Sequence, residues 1–172
     1  TSLNFALGMI AEGAEGETKE VLCNYLGTDD FASYAKEYLN KIKEYNTEDE
    51  SYGYKSKLKI ADAVWVDNNL TLQEEFKNSV TNGFGAEVEN VDFSAAEKTC
   101  GIINSWCDKN TEGLIPKIIT PDLINDTTGL CLTNSLYFES GWSGEPWNVS
   151  DTEEKFGNNE KTKYMTCAGD RY

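Results

Sequence analysis

The 172-residue sequence has no histidine. That excludes Ser-His-Asp and Cys-His catalysis within the chain and removes a common zinc ligand. Cysteine is scarce and odd in number: Cys23, Cys100, Cys107, Cys131 and Cys167. There is no Cys-x-x-Cys, so neither a disulfide framework nor a metal motif is indicated, and no cofactor is expected. Cys100 and Cys107 lie about 10 Å apart along one expected helix, too far to bridge. Most of these thiols should act as small buried hydrophobes. Cationic residues are few, 15 Lys plus Arg against 30 Asp plus Glu, for a formal charge of −15. That disfavours nucleic acid and anionic membrane partners. No apolar run approaches the ~20 residues of a membrane span. No signal peptide is visible, but the chain opens in mid-pattern at Thr1-Ser2-Leu3-Asn4-Phe5, which says nothing about secretion.

What is present suits a globular domain: 39% hydrophobic and 12% aromatic residues, with no repeats, low-complexity tract or linker. Residues 3–12 are apolar almost all round and should form a helix inside a larger protein. A second helix should run from Gly16 to a stop at Gly27. Asp29 or Asp30 should cap a third, whose Phe31, Tyr34, Ala35, Tyr38, Leu39, Ile42 and Tyr45 repeat at three and four. Its Lys36, Lys41 and Lys43 are interleaved with Glu37 and Glu44.

Leu58, Ile60, Val64 and Val66 alternate with Ala61, Ala63 and Trp65, which predicts a strand covered on both faces. Asp62 lies within it, and a buried acid needs a donor or a proton. A short helix is expected around Leu72, Phe76 and Val80, then a strand over residues 86–93. Ser94 with Glu97 reads as a capping box opening a helix through Trp106 and Cys107. Gly83-Phe84-Gly85 lacks the third glycine of a dinucleotide fingerprint and reads as a turn.

The stretch from Thr128 to Trp142 organises the rest. Leu130, Cys131, Leu132, Leu136, Tyr137 and Phe138 make a nearly continuous apolar run, read as a central strand buried on both faces. Thr133 and Asn134 interrupt it. A buried amide costs about 1–3 kcal/mol unless bonded, so Asn134 should have fixed partners. Asn69, Asn125 and Asn148 open glycosylation sequons. Ser143 has no histidine to activate it, so no nucleophile elbow is present.

Leu132-Thr-Asn-Ser-Leu-Tyr-Phe-Glu-Ser-Gly-Trp142 resembles the serpin signature. Other segments match that family in order. Ala6-Leu7-Gly8-Met9 with Gly13-Ala14-Glu15-Gly16-Glu17-Thr18 resembles its helix B to helix C passage. Ala61-Asp62-Ala63-Val64-Trp65 resembles strand 2 of its central sheet, with Asp62 where the pattern has Asn. Val91-Asp92-Phe93, Ile103-Asn104-Ser105-Trp106 and Thr111-Glu112-Gly113-Leu114-Ile115 resemble its helix F region. Pro146-Trp147 and Tyr164-Met165 are looser matches.

The resemblance implies an α+β serpin-like mixed fold, with N-terminal helices and strands of the large central sheet. Residues 1–172 would be a partial serpin domain, from the helix B region through the strands after Trp142. The complete fold would be multi-sheet, multi-helix and metastable, and its reactive loop and C-terminal half lie outside the sequence. The implied function is suicide inhibition of a serine or cysteine protease, by insertion of a cleaved loop into that sheet. The alternative is a non-inhibitory carrier or chaperone. Neither is an enzyme, and no carboxylate pair stands out for enzymatic work. The implied sites are Ser2 and Asn134 in the shutter and Trp142 in the breach. The family's helix D heparin site is not expected, given the mixed charge of the third helix. The implied location is extracellular, with an intracellular one left open. The complete protein is expected to be a monomer and this part alone to associate.

Overall fold

The computed structural model describes residues 2–46, 48–49, 54–140, 148–157 and 160–166. Trp142, Ser143, Trp147 and Cys167 lie outside these, as does the side chain of Asn148.

Three helices come first: α1 (Ser2–Gly13), α2 (Gly16–Leu26) and α3 (Phe31–Tyr45). Gly27 closes α2 in a left-handed turn, φ 75°, a conformation glycine adopts without a Cβ penalty. Asp30 is the cap of α3, accepting from the amide of Ser33 at 3.1 Å. A short strand, β1 (Glu48–Asp49), folds back on β2 (Tyr54–Asp67), and Asn46 braces that return. Its side chain accepts from the amide of Leu58 at 2.7 Å and donates to the carbonyl of Leu58 at 3.0 Å.

α4 (Glu74–Phe84) carries the chain over to β3 (Glu87–Val91), which pairs parallel with β2. Then come α5 (Ala96–Asn110) and a 3-10 turn (Pro121–Leu123). β4 (Leu130–Ser140) lies antiparallel to β2 on the side away from β3. β5 (Asn148–Phe156) and β6 (Glu160–Thr166) form a separate antiparallel pair.

β2 is the hub. Its alternating side chains feed two cores, as expected for a strand covered on both faces. Val64 and Val66 pack with Phe5 and Met9 of α1, Phe31 and Ala35 of α3, and Val80 and Phe84 of α4. Ala63 and Trp65 pack on the other face with Cys100, Ile103, Trp106 and Cys107 of α5. The rings of Trp65 and Trp106 meet edge to face, 6.1 Å apart at 87°.

Three expectations change. β4 is not a central strand among the described residues: it pairs only with β2. Among the described residues its far edge meets no strand, and Leu136 and Phe138 on its face are 40% and 67% exposed. The Ser94–Glu97 capping box does not form. Asp92 does the local work, accepting from the amide and hydroxyl of Ser94 at 3.0 and 2.5 Å. Its backbone carbonyl takes the Thr99 hydroxyl at 2.6 Å. A short acid two residues back reaches the free amides more directly than Ser94 can. Gly83 belongs to α4 rather than to a turn, and Gly85, φ 65°, ends the helix.

Candidate functional site

The site lies where the start of α1 passes beneath the β2–β4 ladder. In that ladder Asp62 is the direct partner of Asn134, as Val64 is of Leu132. Side chains two residues apart share a face, so Asp62 and Asn134 point toward α1, on the side of Val64 and Leu132. There the Ser2 hydroxyl donates to Asn134 Oδ1. Asn134 Nδ2 donates in turn to Asp62 Oδ1 at 2.7 Å. One amide thus ties a helix and two strands together.

Asp62 is 1% exposed. Burial pushes its carboxyl up to about 6, against the opposing effect of the Asn134 bond. Its second oxygen, Oδ2, is buried without a hydrogen-bond partner. The acid has found one donor, which meets only part of its need.

The opposite face holds a second polar contact. Trp65 Nε1 donates to the hydroxyl of Thr133 at 3.0 Å, fully buried. The chain after α5 is then fixed by Asn104. Its side chain accepts from the amides of Ile118 and Ile119 at 2.8 and 3.1 Å and donates to the Ile119 carbonyl at 2.9 Å. Glu112, φ 53°, and Gly113, φ 81°, turn the chain just beyond the helix. Lys57 of β2 meets Glu112 there at 2.8 Å, with both side chains roughly half exposed.

Ser2 and Asn134 are therefore brought together, and Asp62 joins them. Trp142 lies outside the described residues. Asn69 is tied down, its amide nitrogen donating to Asp67 at 2.8 Å. Asn125 is exposed, and its side-chain oxygen accepts from the amide and hydroxyl of Thr127 at 2.9 and 2.6 Å. Cys100 and Cys107 are buried, while Cys23 and Cys131 are half-buried; all four are free. Burial pushes the thiols of Cys100, Cys107 and Cys131 up. On α3, Lys41 pairs with Glu37 at 2.8 Å, so the basic residues there form no uniform patch. No metal-binding cluster of acids and cysteines occurs among the described residues.

Sequence reasoning missed Asn104 and Thr133. The Ile103-Asn104-Ser105-Trp106 motif contained Asn104, but its partners lie 14 and 15 residues on, so its role was not legible. Thr133 was visible as a polar break, and pairing it with Trp65 needed the register of β2 against β4.

The overall fold is shared with known structures. The Arabidopsis serpin AtSerpin1, in its native stressed conformation, superposes with a TM-score of 0.79 at 27% identity, over 96% of this chain and 43% of that one. The sequence profile of the family Serpin (serine protease inhibitor) matches residues 1–166. Serpin-ZXA of Oryza sativa subsp. japonica is 33% identical over 154 residues, 89% of this chain and 39% of that protein. Serpin-ZX of Arabidopsis thaliana is 30% identical over 99% of this chain and 45% of its own length. The chain belongs to the serpin family and corresponds to the N-terminal portion of the domain. It spans less than half the length of these relatives.

Proposed function

We propose that the protein carrying this chain is a suicide inhibitor of a serine or cysteine endopeptidase, acting by insertion of its cleaved reactive loop into the sheet of β2 and β4. The observation that carries this reading is the Ser2–Asn134–Asp62 chain at the seat of β4. A sheet that admits a new strand has to be held shut by a small number of breakable bonds. One amide bridging a helix and two strands is such a device. The chemistry of cleavage belongs to the target, and the inhibitor contributes stored strain and a sheet able to open. The exposed outer edge of β4, with Leu136 and Phe138 uncovered, is where a further strand can add.

In this reading Trp142 marks the breach, where the loop enters. Secretion is part of the same proposal, supported by the exposed sequon at Asn125. Treating the secreted protein with a glycosidase and following its gel mobility tests that part; an unchanged mobility argues against it.

The function itself is tested by incubating the full-length protein with trypsin-like, elastase-like and papain-like enzymes. An SDS-stable complex with one of them is expected. Cleavage of the protein by all of them without a complex would favour a carrier or chaperone instead.

A further inference from the structure

We propose that Asp62 is a positioning residue for Asn134, and that its protonation tightens, and its ionisation loosens, the seat of β4 on α1. The inference rests on the reading of this sheet as one that opens.

The geometry supplies the first half. An asparagine amide can face either way, with oxygen or nitrogen toward a given neighbour. Neutral or ionised, Asp62 Oδ1 accepts from Asn134 Nδ2, which turns Nδ2 toward Asp62 and leaves Asn134 Oδ1 for the Ser2 hydroxyl. The direction of the whole chain of bonds is thus set from β2. With asparagine at position 62 both groups would be ambident and neither would fix the other.

Burial supplies the second half. Asp62 is closed off from water, and Oδ2 has no partner. Among the described residues no opposite charge compensates it. α1 presents Ser2 there, and its one ionisable residue, Glu12, sits at the other end, accepting from the Ala32 amide at 3.2 Å. On α3, Tyr38 packs against Phe5, and Lys36, Glu37, Lys41, Lys43 and Glu44 are exposed. Glu74, Glu75 and Lys77 of α4 and Glu87 and Glu89 of β3 are exposed too. Glu139 of β4 takes the Tyr137 hydroxyl at 2.7 Å, near the far end of the strand. Lys57 and Lys59 of β2 point to the opposite face, where α5 lies. Among the described residues, burial raises the carboxyl and the Asn134 bond opposes it.

The sign follows. The closed sheet raises the carboxyl from its ordinary 3.8 to about 6. A raised carboxyl binds its proton better when the sheet is closed than when opening hydrates it. Closure is therefore strongest at low pH and weakens as pH rises toward and through about 6. Between pH 5 and 7.5 the opening constant should rise about tenfold, and about sixtyfold from pH 4.

The test is amide hydrogen exchange across residues 62–66 and 130–140 of the full-length protein, with protection factors corrected for intrinsic rates. Protection in the parent should fall about tenfold from pH 5 to pH 7.5. Asp62→Asn and Asp62→Ser should show no such change; two neutral variants guard against one failing to pack. A carbon-13 titration of Asp62 in the parent should have its midpoint near 6. Equal pH dependence in parent and variants, or a midpoint near 4, overturns the proposal. The inhibitory reading is scored apart, by the protease complex, so a protein that forms none can still show or lack the Asp62 effect.

Discussion

The indole N–H of Trp65 reaches across the ladder to the hydroxyl of Thr133, 3.0 Å away, in a fully buried contact. It locks β2 to β4 from the α5 side, while Asp62 and Asn134 lock the same two strands from the α1 side. The pair therefore behaves as one slab, which Ser2 ties to α1 by a polar bond beside the apolar packing of Val64 and Val66 on Phe5 and Met9.

Thr133→Val keeps the shape of the side chain and removes its acceptor. The Trp65 N–H would be left buried and unpaired, which should cost about 1–3 kcal/mol. Urea denaturation measures it. Thr133→Ser, which restores the hydroxyl, should recover most of the loss.

Gly83 and Gly101 are both helical glycines, and alanine should act oppositely at the two. A Cβ at Gly83 would stand 2.6 Å from Ala32 Cβ and 2.7 Å from its Cα. Backbone on α3 cannot yield, so overpacking should outweigh the helix gain and leave Gly83→Ala destabilised by roughly 1–3 kcal/mol. At Gly101 nothing lies within 4 Å. Gly101→Ala should add up to about 1 kcal/mol of stability from helix propensity. Thermal melts of the two variants, read against the parent, check the opposite signs.

The contrast at these glycines shows where the sequence was legible. Periodicity marked α3, α4 and β2, because a 3.6-residue or two-residue apolar repeat is a property of one segment, and α1 was marked by being apolar almost all round. Gly83 read as a turn because its real constraint, Ala32 on another helix, is not local. The exposure of Leu136 and Phe138 was likewise hidden. A continuous apolar run says that a strand can be covered on both faces, and which neighbours it has is settled only by pairing. Asn134 was marked by its own cost, an amide among leucines. Asp62 was marked as a buried acid. That the two are opposite each other depends on register, and so does the pairing of Trp65 with Thr133.

Asn104→Ala removes three hydrogen bonds that hold residues 118 and 119 against α5. A loss of about 2 kcal/mol is expected, as each such bond contributes roughly 1 kcal/mol and some are replaced by water. Limited proteolysis should show new cleavage between residues 111 and 120. An unchanged digestion pattern would mean that the segment is held elsewhere.

The 172 residues on their own should self-associate, since β4 exposes its outer edge together with Leu136 and Phe138. Sedimentation should show species larger than a monomer. Phe138→Lys should reduce them, because a charge at an exposed edge opposes strand addition. A compact monomer with a sharp cooperative melt would contradict this expectation.

In the proposed inhibitor, Asn134 is the amide that holds the sheet shut. In the full-length protein, Asn134→Ala removes the acceptor for Ser2 and the donor for Asp62 together. The fold should survive with a loss of about 1 kcal/mol or more. Native-gel mobility after mild heating, variant beside parent, is the direct measurement. The account predicts faster conversion of the variant to latent or polymerised forms and a raised stoichiometry of inhibition. A variant that stays monomeric and inhibits with unchanged stoichiometry would contradict this, leaving Asn134 a half-buried amide with no part in opening the sheet.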